Sequence, residues 1–278
     1  MLKNVFISSS AVIFASIFFV VNDAIINYLT PLNIKFYHFI FYGTPAFISV
    51  PIYLIYSGNF KKKIRSTNYY IPIIRGFIFI PMPFFAFISL NNMSLPEFTT
   101  LNMSAPIFGG ILSIIFLKDK FNLYTLTSLM LGLLGVLLVI QPGFENFNIY
   151  FILTLFHAFL IAIGTLITNK YHNNTSSVGY FIYGGIFIHL ISLLIFIYDP
   201  LKINLNIFFL ITIASIFINL AIFLIVFAFK YSQKYYASVF CLMYSQILWT
   251  SIIGLIFFNE ILNIYAFVGA FIIILSGI

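Results

Sequence analysis

Residues 203–229 read INLNIFFLITIASIFINLAIFLIVFAF, without a single charged side chain. A helix needs about 20 apolar residues to cross the hydrocarbon core of a bilayer, so this stretch is long enough to span it. The remaining uncharged stretches are 4–22, 36–60, 76–96, 98–117, 121–144, 146–169, 171–198, 235–259 and 261–278. Their residues do not alternate between apolar and polar, as the strands of a membrane barrel do. The sequence therefore predicts an all-α integral membrane protein with ten transmembrane helices.

The composition of the whole chain supports the same class. Of its 278 residues, 62% are hydrophobic and 7% are charged, whereas an average soluble domain is about 25% charged. A soluble enzyme and a disordered chain are thereby excluded. The net charge of +7 comes from basic residues scattered among apolar runs, so we expect a lipid bilayer and no nucleic acid as the partner. We expect no metal and no cofactor, because the sequence has no His-Glu-x-x-His motif and no phosphate-binding loop.

Basic residues are distributed unevenly between the two sides that ten spans define. The segment Lys61–Arg65 follows the second span, and cytoplasmic loops carry an excess of Lys and Arg. With this segment inside, only Lys35 and Lys202 among the loop cations fall outside. The prediction is a multi-pass protein of the cytoplasmic (inner) membrane with both termini in the cytoplasm.

An internal similarity divides the chain into two halves. Residues 116–124 and 257–265 match at an offset of 141 residues, through the pairs Phe116/Phe257, Asp119/Glu260, Asn122/Asn263 and Tyr124/Tyr265. Chance similarity between two helix corners is the alternative. Because five spans separate the two segments, the halves have opposite topology. The prediction is two inverted five-helix repeats, residues 1–143 and 144–278, an arrangement typical of secondary transporters.

Several of these motifs resemble the EamA family of the drug/metabolite transporter superfamily. They are Arg75-Gly76, Ser94–Leu101, Ala105-Pro106 and Phe116–Asp119 in the first half, and Tyr244–Trp249, Gly254 and Phe258–Glu260 in the second. The resemblance covers essentially the whole chain and is closest to carriers of S-adenosylmethionine or riboflavin. Two positions depart from the family pattern: Asn259 replaces a glycine, and His38 stands where many members carry an arginine.

Polar side chains within the predicted spans are candidates for substrate binding, because they are costly in hydrocarbon. The candidates are Gln246, Trp249, Asn102, Asn219 and His157. The resemblance implies that spans 1, 3, 4, 6, 8 and 9 line a central cavity, which includes all five. Hydrogen bonds between neighbouring helices are the alternative role for these side chains.

Asp23 is the carboxylate that lies well inside a predicted span, and His38 lies at a similar depth in the next span. Because both groups can exchange protons, they are the candidates for coupling transport to protons. Arg75 borders the third span near the cytoplasmic side, where we expect it to extend to the lipid headgroups.

The sequence thus predicts a secondary active transporter that moves a small neutral or zwitterionic organic metabolite by alternating access. Coupling to protons and exchange of metabolites are both open, as are the monomer and the homodimer. The alternatives are a membrane-embedded enzyme and a membrane subunit that transports nothing.

Overall fold

The computed structural model describes residues 2–118, 123–140, 149–258 and 264–276, and their regular structure is helical. The helices are α1 (Leu2–Leu29), α2 (Phe36–Tyr56), α3 (Phe60–Ile64), α4 (Tyr70–Phe79), α5 (Met82–Asn92), α6 (Leu95–Asn102), α7 (Ala105–Leu112), α8 (Leu123–Ile140), α9 (Ile149–Lys170), α10 (Ser177–Tyr198), α11 (Leu205–Ser232), α12 (Tyr236–Cys241), α13 (Ser245–Phe258) and α14 (Ile264–Ser276). An isolated bridge joins Ser66 and Thr175.

Seven continuous helical stretches in these ranges are long and apolar enough to cross a membrane. They are Asn4–Leu32, Phe36–Tyr56, Tyr70–Asn92, Glu97–Leu117, Ile149–Lys170, Ser177–Tyr198 and Leu205–Phe257, and a shorter apolar helix covers Leu126–Gly135. The chain is therefore a multi-pass membrane protein, and the all-α class predicted from the sequence is confirmed.

The third of these stretches begins earlier than the charge pattern predicts. The sequence analysis starts it at residue 76, after Arg75, whereas α4 begins at Tyr70 and contains Arg75 in its second turn. The difference arises because the guanidinium is buried and bonded to backbone carbonyls of other helices. A charged residue therefore does not mark the end of this span.

Prolines interrupt two of the spans. Pro81 separates α4 from α5, and Pro106 stands in the first turn of α7. Proline lacks the backbone N–H and its ring clashes with the carbonyl four residues earlier, so the chain begins a new helix at each site. The helix α6 ends at Asn102, which brings a polar side chain to a break in the middle of a span.

The helices of the two sequence halves pack closely against each other. α1 lies along α11, α8 along α14, and α10 against both α2 and α4. The central core holds many alanines, which allow helices to approach closely; they are Ala11, Ala15, Ala105, Ala158, Ala162, Ala221 and Ala228. The predicted boundary between residues 143 and 144 lies outside the described residues, but the packing across it forms shared cores.

Polar contacts join the beginning of α2 to the end of α10. The Nζ of Lys35 lies 2.8 Å from a carboxylate oxygen of Asp199, which also accepts a hydrogen bond from Tyr37. The hydrogen bond from Lys35 lowers the pKa of Asp199. At the other end, Asn174 bonds to Ser66 and Thr67. These contacts connect the loops on each side of the bundle.

We expect Gly43→Ala to lower the thermal stability of the purified protein. A Cβ at Gly43 would lie 2.0 Å from the Oγ of Ser215 on α11, and such overpacking costs about 1–3 kcal/mol. The double variant Gly43→Ala/Ser215→Gly removes the hydroxymethyl group that the new Cβ would meet, and should recover most of the loss. Thermal unfolding of both variants in detergent measures this coupling. Additive effects of the two substitutions would contradict the close α2–α11 contact.

Candidate binding cavity

A cavity of about 230 Å³ lies between the helices of both sequence halves. Its polar lining consists of Asn22, Asp23, Arg75, Asn102, His157, Thr165, His189, Ser215, Asn219 and Gln246. Phenylalanines form much of the remaining wall, among them Phe39, Phe79, Phe98 and Phe181. Such a cavity, mostly apolar with a few polar groups, is typical of a site for a small organic molecule.

Most of the residues that the sequence singles out converge on this cavity. Gln246, Asn102, Asn219 and His157 all line it, although they come from four different helical segments. Trp249 does not belong to the lining, despite lying on the same helix as Gln246. Its indole Nε1 is buried without a hydrogen-bond partner among the described residues.

Two of the predicted binding residues bond to each other. The Nδ1 of His157 lies 3.0 Å from the Oδ1 of Asn102. Because an amide oxygen only accepts, His157 donates this hydrogen bond. Asn219 instead donates to the carbonyl of Ser215 on its own helix, at 2.7 Å. These amides are therefore partly satisfied within the protein.

Two other amides are not satisfied. The Oε1 of Gln246 and the Oδ1 of Asn22 are buried and have no hydrogen-bond partner in the described part of the chain. Gln246 is 1% exposed and Asn22 is 3% exposed. Leaving such a group unpaired costs about 1–3 kcal/mol. Since both residues line the cavity, a bound molecule with N–H or O–H donors would remove that cost.

Asp23 also lines the cavity, whereas His38 does not. Asp23 is 8% exposed and its Oδ1 accepts a hydrogen bond from Asn22, at 3.1 Å. The two nitrogens of His38 are engaged elsewhere: Nδ1 accepts from the backbone N–H of Lys35, and Nε2 lies 2.7 Å from the carbonyl of Asp199. The structure thus does not bring the two predicted coupling residues together.

Residues 2–141 match the EamA-like transporter family. The match covers half of the chain. The chain belongs to this family. This confirms the resemblance drawn from the sequence motifs.

Two transporters have sequences similar to this EamA-like chain. An S-adenosylmethionine uptake transporter of Rickettsia conorii is 26% identical over 180 residues, which cover 62% of this chain and 58% of the relative. An uncharacterized transporter of Helicobacter pylori is 37% identical over 60 residues, 22% of this chain and 20% of that protein. The chain therefore aligns with less than two thirds of the length of either relative.

A crystal structure of another protein has a similar fold. The TM-score is 0.78, and the similarity covers 99% of this chain and 94% of the other, at 10% sequence identity. At this identity the likeness concerns the fold alone. It extends over the second half of the EamA-like chain, beyond the residues that match the family.

Arg75 is the main correction to the sequence analysis of this EamA-like protein. The sequence analysis expects it to reach the lipid headgroups, but it is 1% exposed and lines the cavity.

His189, which is not among the predicted binding residues, also lines the cavity. Its Nδ1 lies 3.0 Å from Thr44 Oγ1, and its ring stacks on Phe47. A sequence gives the depth of such residues but not the direction in which they point.

We expect Gln246→Leu to weaken substrate binding while leaving thermal stability unchanged. The substitution removes no hydrogen bond through Oε1, but it leaves a donor on the bound substrate unpaired, at a cost of about 1–3 kcal/mol. Asn102→Leu should lower stability as well, because it removes the partner of His157. Tyr244→Phe is the control outside the cavity, where the hydroxyl bonds to the carbonyl of Leu129.

Substrate affinity and melting temperature, measured at equal purity, separate the variants. Equal affinity of Gln246→Leu and the unmodified protein would assign Gln246 to helix packing. A loss of affinity in Tyr244→Phe as large as that in Gln246→Leu would contradict the cavity as the binding site.

Proposed function

We propose that the protein is a secondary active transporter, which moves a small neutral or zwitterionic organic metabolite by alternating access. The observation that carries the proposal is the cavity between helices of the two halves, whose lining includes Asn22 and Gln246, two residues with buried amide oxygens that have no partner among the described residues. Membership of the EamA-like transporter family supports the transport of a solute across the membrane. In secondary transporters, the substrate site lies near the bilayer midplane between two repeats.

The two proposed repeats are supported by the helix boundaries. The offset of 141 residues, taken from the sequence, relates the ends of α1 and α9, Leu29 and Lys170. It also relates the first residues of three further pairs: Phe36 of α2 with Ser177 of α10, Leu95 of α6 with Tyr236 of α12, and Leu123 of α8 with Ile264 of α14. The sequence match that gave this offset also contains residues that lie outside the described ranges, namely Asp119, Asn122, Glu260 and Asn263.

The helix breaks follow the same offset. At this offset, the turn at Met103 and Ser104, which separates α6 from α7, corresponds to Tyr244 and Ser245, where the 3₁₀ turn Leu242–Tyr244 ends and α13 begins. A shared interruption at the same point of each half supports an ancient duplication. It also supports discontinuous helices at the cavity, which frequently form the binding sites of transporters.

We propose ten crossings, of which two lie in the 53-residue stretch Leu205–Phe257. At 1.5 Å per residue this stretch would be about 80 Å long if straight, far more than the ~30 Å of the hydrocarbon core. Gln233 has φ 46°, a backbone conformation that ends α11. α8 and α14 supply the fifth and tenth crossings. With five crossings in each half, the repeats have opposite orientations.

The proposed orientation has both termini in the cytoplasm of the cell, with the protein in its cytoplasmic (inner) membrane. The contacts between loops support the arrangement of sides. Lys35 pairs with Asp199, and both belong to the proposed outer side. On the proposed cytoplasmic side, Thr175 forms the isolated bridge with Ser66, and its hydroxyl donates a hydrogen bond to the carbonyl of Arg65.

We expect a cysteine placed at Asn91 to react with a membrane-impermeant thiol reagent added to intact cells. Asn91 is exposed in the last turn of α5, on the proposed outer side. Lys62→Cys is the matched control, since Lys62 is exposed in the opposite loop and should react only after lysis. The native Cys241 is buried and gives little background. Reaction of Lys62→Cys, and not Asn91→Cys, in intact cells would reverse the proposed topology.

The substrate class follows from the lining. Aromatic and aliphatic side chains surround a few amides and two opposite charges, Asp23 and Arg75. A multiply charged nucleotide would require more cations than these walls offer. S-adenosylmethionine, the substrate in the name of the Rickettsia conorii relative, is one candidate, which carries a zwitterionic amino-acid group together with a sulfonium cation. The protein is proposed to work as a monomer or homodimer in the bilayer.

We expect the purified protein in liposomes to exchange a labelled metabolite across the membrane without ATP. Asp23→Asn should retain this exchange but lose the response of net uptake to a proton gradient, because the buried carboxylate faces the cavity and is proposed to bind the proton. The control is Asp199→Asn, which makes the same change at an exposed carboxylate outside the cavity lining.

Absence of exchange by the unmodified protein with every metabolite offered would contradict the carrier function. It would instead favour the enzyme or the non-transporting subunit. A proton response of Asp23→Asn equal to that of Asp199→Asn would exclude Asp23 as the coupling residue, while leaving the carrier function intact.

A further inference from the structure

A buried guanidinium group borders the cavity at Arg75. Its Nε donates to the carbonyl of Gly164 on α9 at 3.0 Å, and Nη1 donates to the carbonyl of Tyr180 on α10 at 3.2 Å. The guanidinium carbon lies 4.4 Å from the ring centre of Phe79. A guanidinium has five N–H donors, so these two bonds leave others free toward the cavity.

The charge of Arg75 is not neutralised by a carboxylate among the described residues. The ion pair within the described residues joins Lys35 to Asp199. Backbone carbonyls carry partial charges only, and a cation in the membrane interior is expensive without a counter-ion. Arg75 therefore retains the capacity to bind an anion.

Asp23, the carboxylate in the cavity lining, lies in the other half of the membrane thickness. α1 ends at Leu29, and α2 then carries the chain to the opposite face, where α4 begins at Tyr70. Asp23 and Arg75 thus lie about 9 Å and 8 Å from opposite faces, at 1.5 Å per residue. The 21 residues of α2 measure about 31 Å. The two Cα atoms are therefore roughly 15 Å apart in depth.

Glycines on the two neighbouring helices provide the space for this guanidinium. A Cβ at Gly184 would lie 3.0 Å from Nη1 of Arg75. A Cβ at Gly164 would lie 2.3 Å from the ring of Phe79, which carries the guanidinium on its face. A side chain that only linked helices would be satisfied by its two carbonyls. Here the packing also holds the remaining donors at the wall of the cavity.

We infer that Arg75 is an anion-binding subsite of the cavity and takes the carboxylate of a zwitterionic substrate. The inference rests on the proposed carrier function and narrows its substrate class. The planar fork of a guanidinium matches the two oxygens of a carboxylate. A single guanidinium with two donors already committed fits a single carboxylate better than a doubly charged phosphate. The cationic part of the substrate then extends toward the half that holds Asp23.

The test uses thermal shift and liposome exchange with three groups of probes. The first group is S-adenosylmethionine and the L-amino acids, the second their decarboxylated amines, and the third uncharged nucleosides and riboflavin. We expect stabilisation by at least one member of the first group. Its decarboxylated partner should bind about 10- to 100-fold more weakly, the range expected for loss of charge-assisted hydrogen bonds.

Variants separate a binding role from a structural one. Arg75→Gln should lower the affinity for the carboxylate probe about 10- to 100-fold and leave the affinity for its decarboxylated partner nearly unchanged. The affinity of Arg75→Lys for the carboxylate probe should lie between those of the unmodified protein and Arg75→Gln, because lysine keeps the charge but loses the planar pair of donors. Gly184→Ala displaces Nη1 without removing the charge, and should also selectively weaken the binding of the carboxylate probe. This variant keeps the test decisive if Arg75→Gln fails to fold.

Two results would overturn the subsite while leaving the carrier function in place. One is transport and tight binding of an amine or an uncharged probe with no preference for the carboxylate. The other is equal weakening of both members of a pair by Arg75→Gln and Gly184→Ala, which would assign Arg75 to helix packing. Failure of the unmodified protein to transport any probe would count against the proposed function itself.

Discussion

The structure depends on one constraint: a polar group in the hydrocarbon core must find its partner inside the protein. The helices satisfy this constraint for the backbone, and the side chains follow it locally. Arg75 bonds to carbonyls of α9 and α10, and His157 bonds to Asn102. Against this background, the unpaired oxygens of Gln246 and Asn22 are exceptions. Both line the same cavity, although other buried polar atoms without a partner, such as the Nε1 of Trp249, lie outside its lining. The physical basis for treating the cavity as a binding site is therefore the convergence of polar side chains from several helices on it.

Close helix packing determines which polar groups reach the cavity. Gly43 and Gly76 leave no room for a Cβ, because α11 and α10 lie against them. Without a hydrophobic driving force between helices in lipid, such contacts provide much of the attraction. They also fix helix rotation, so that Asp23, Arg75 and Gln246 point inward. Packing and site geometry are thus consequences of the same small residues.

The sequence predicts the class of the fold and much of the cavity lining. Uncharged stretches define membrane helices because length and polarity are properties of the chain itself. Gln246, Asn102, Asn219 and His157 could be selected because amides and imidazoles are rare at mid-span depth. Trp249 stays a prediction although it lies outside the cavity lining, and the sequence fails at Arg75, where the direction of the side chain matters. That direction depends on neighbouring helices, which become visible only in the folded chain.

The two cavity charges make the proposals about substrate and coupling depend on each other. With neutral imidazoles, Arg75 and an ionised Asp23 give the empty cavity no net formal charge. A bound zwitterion leaves this balance unchanged, whereas a net anion would require a proton on Asp23 to restore it. A net cation would instead favour the ionised form and compete with the proton. Because burying an uncompensated charge is costly, the net charge of the substrate sets the direction of proton coupling. An anion would be accompanied by a proton and a cation would exchange with one, whereas a zwitterion is coupled to the gradient only through the proton that Asp23 itself is proposed to carry.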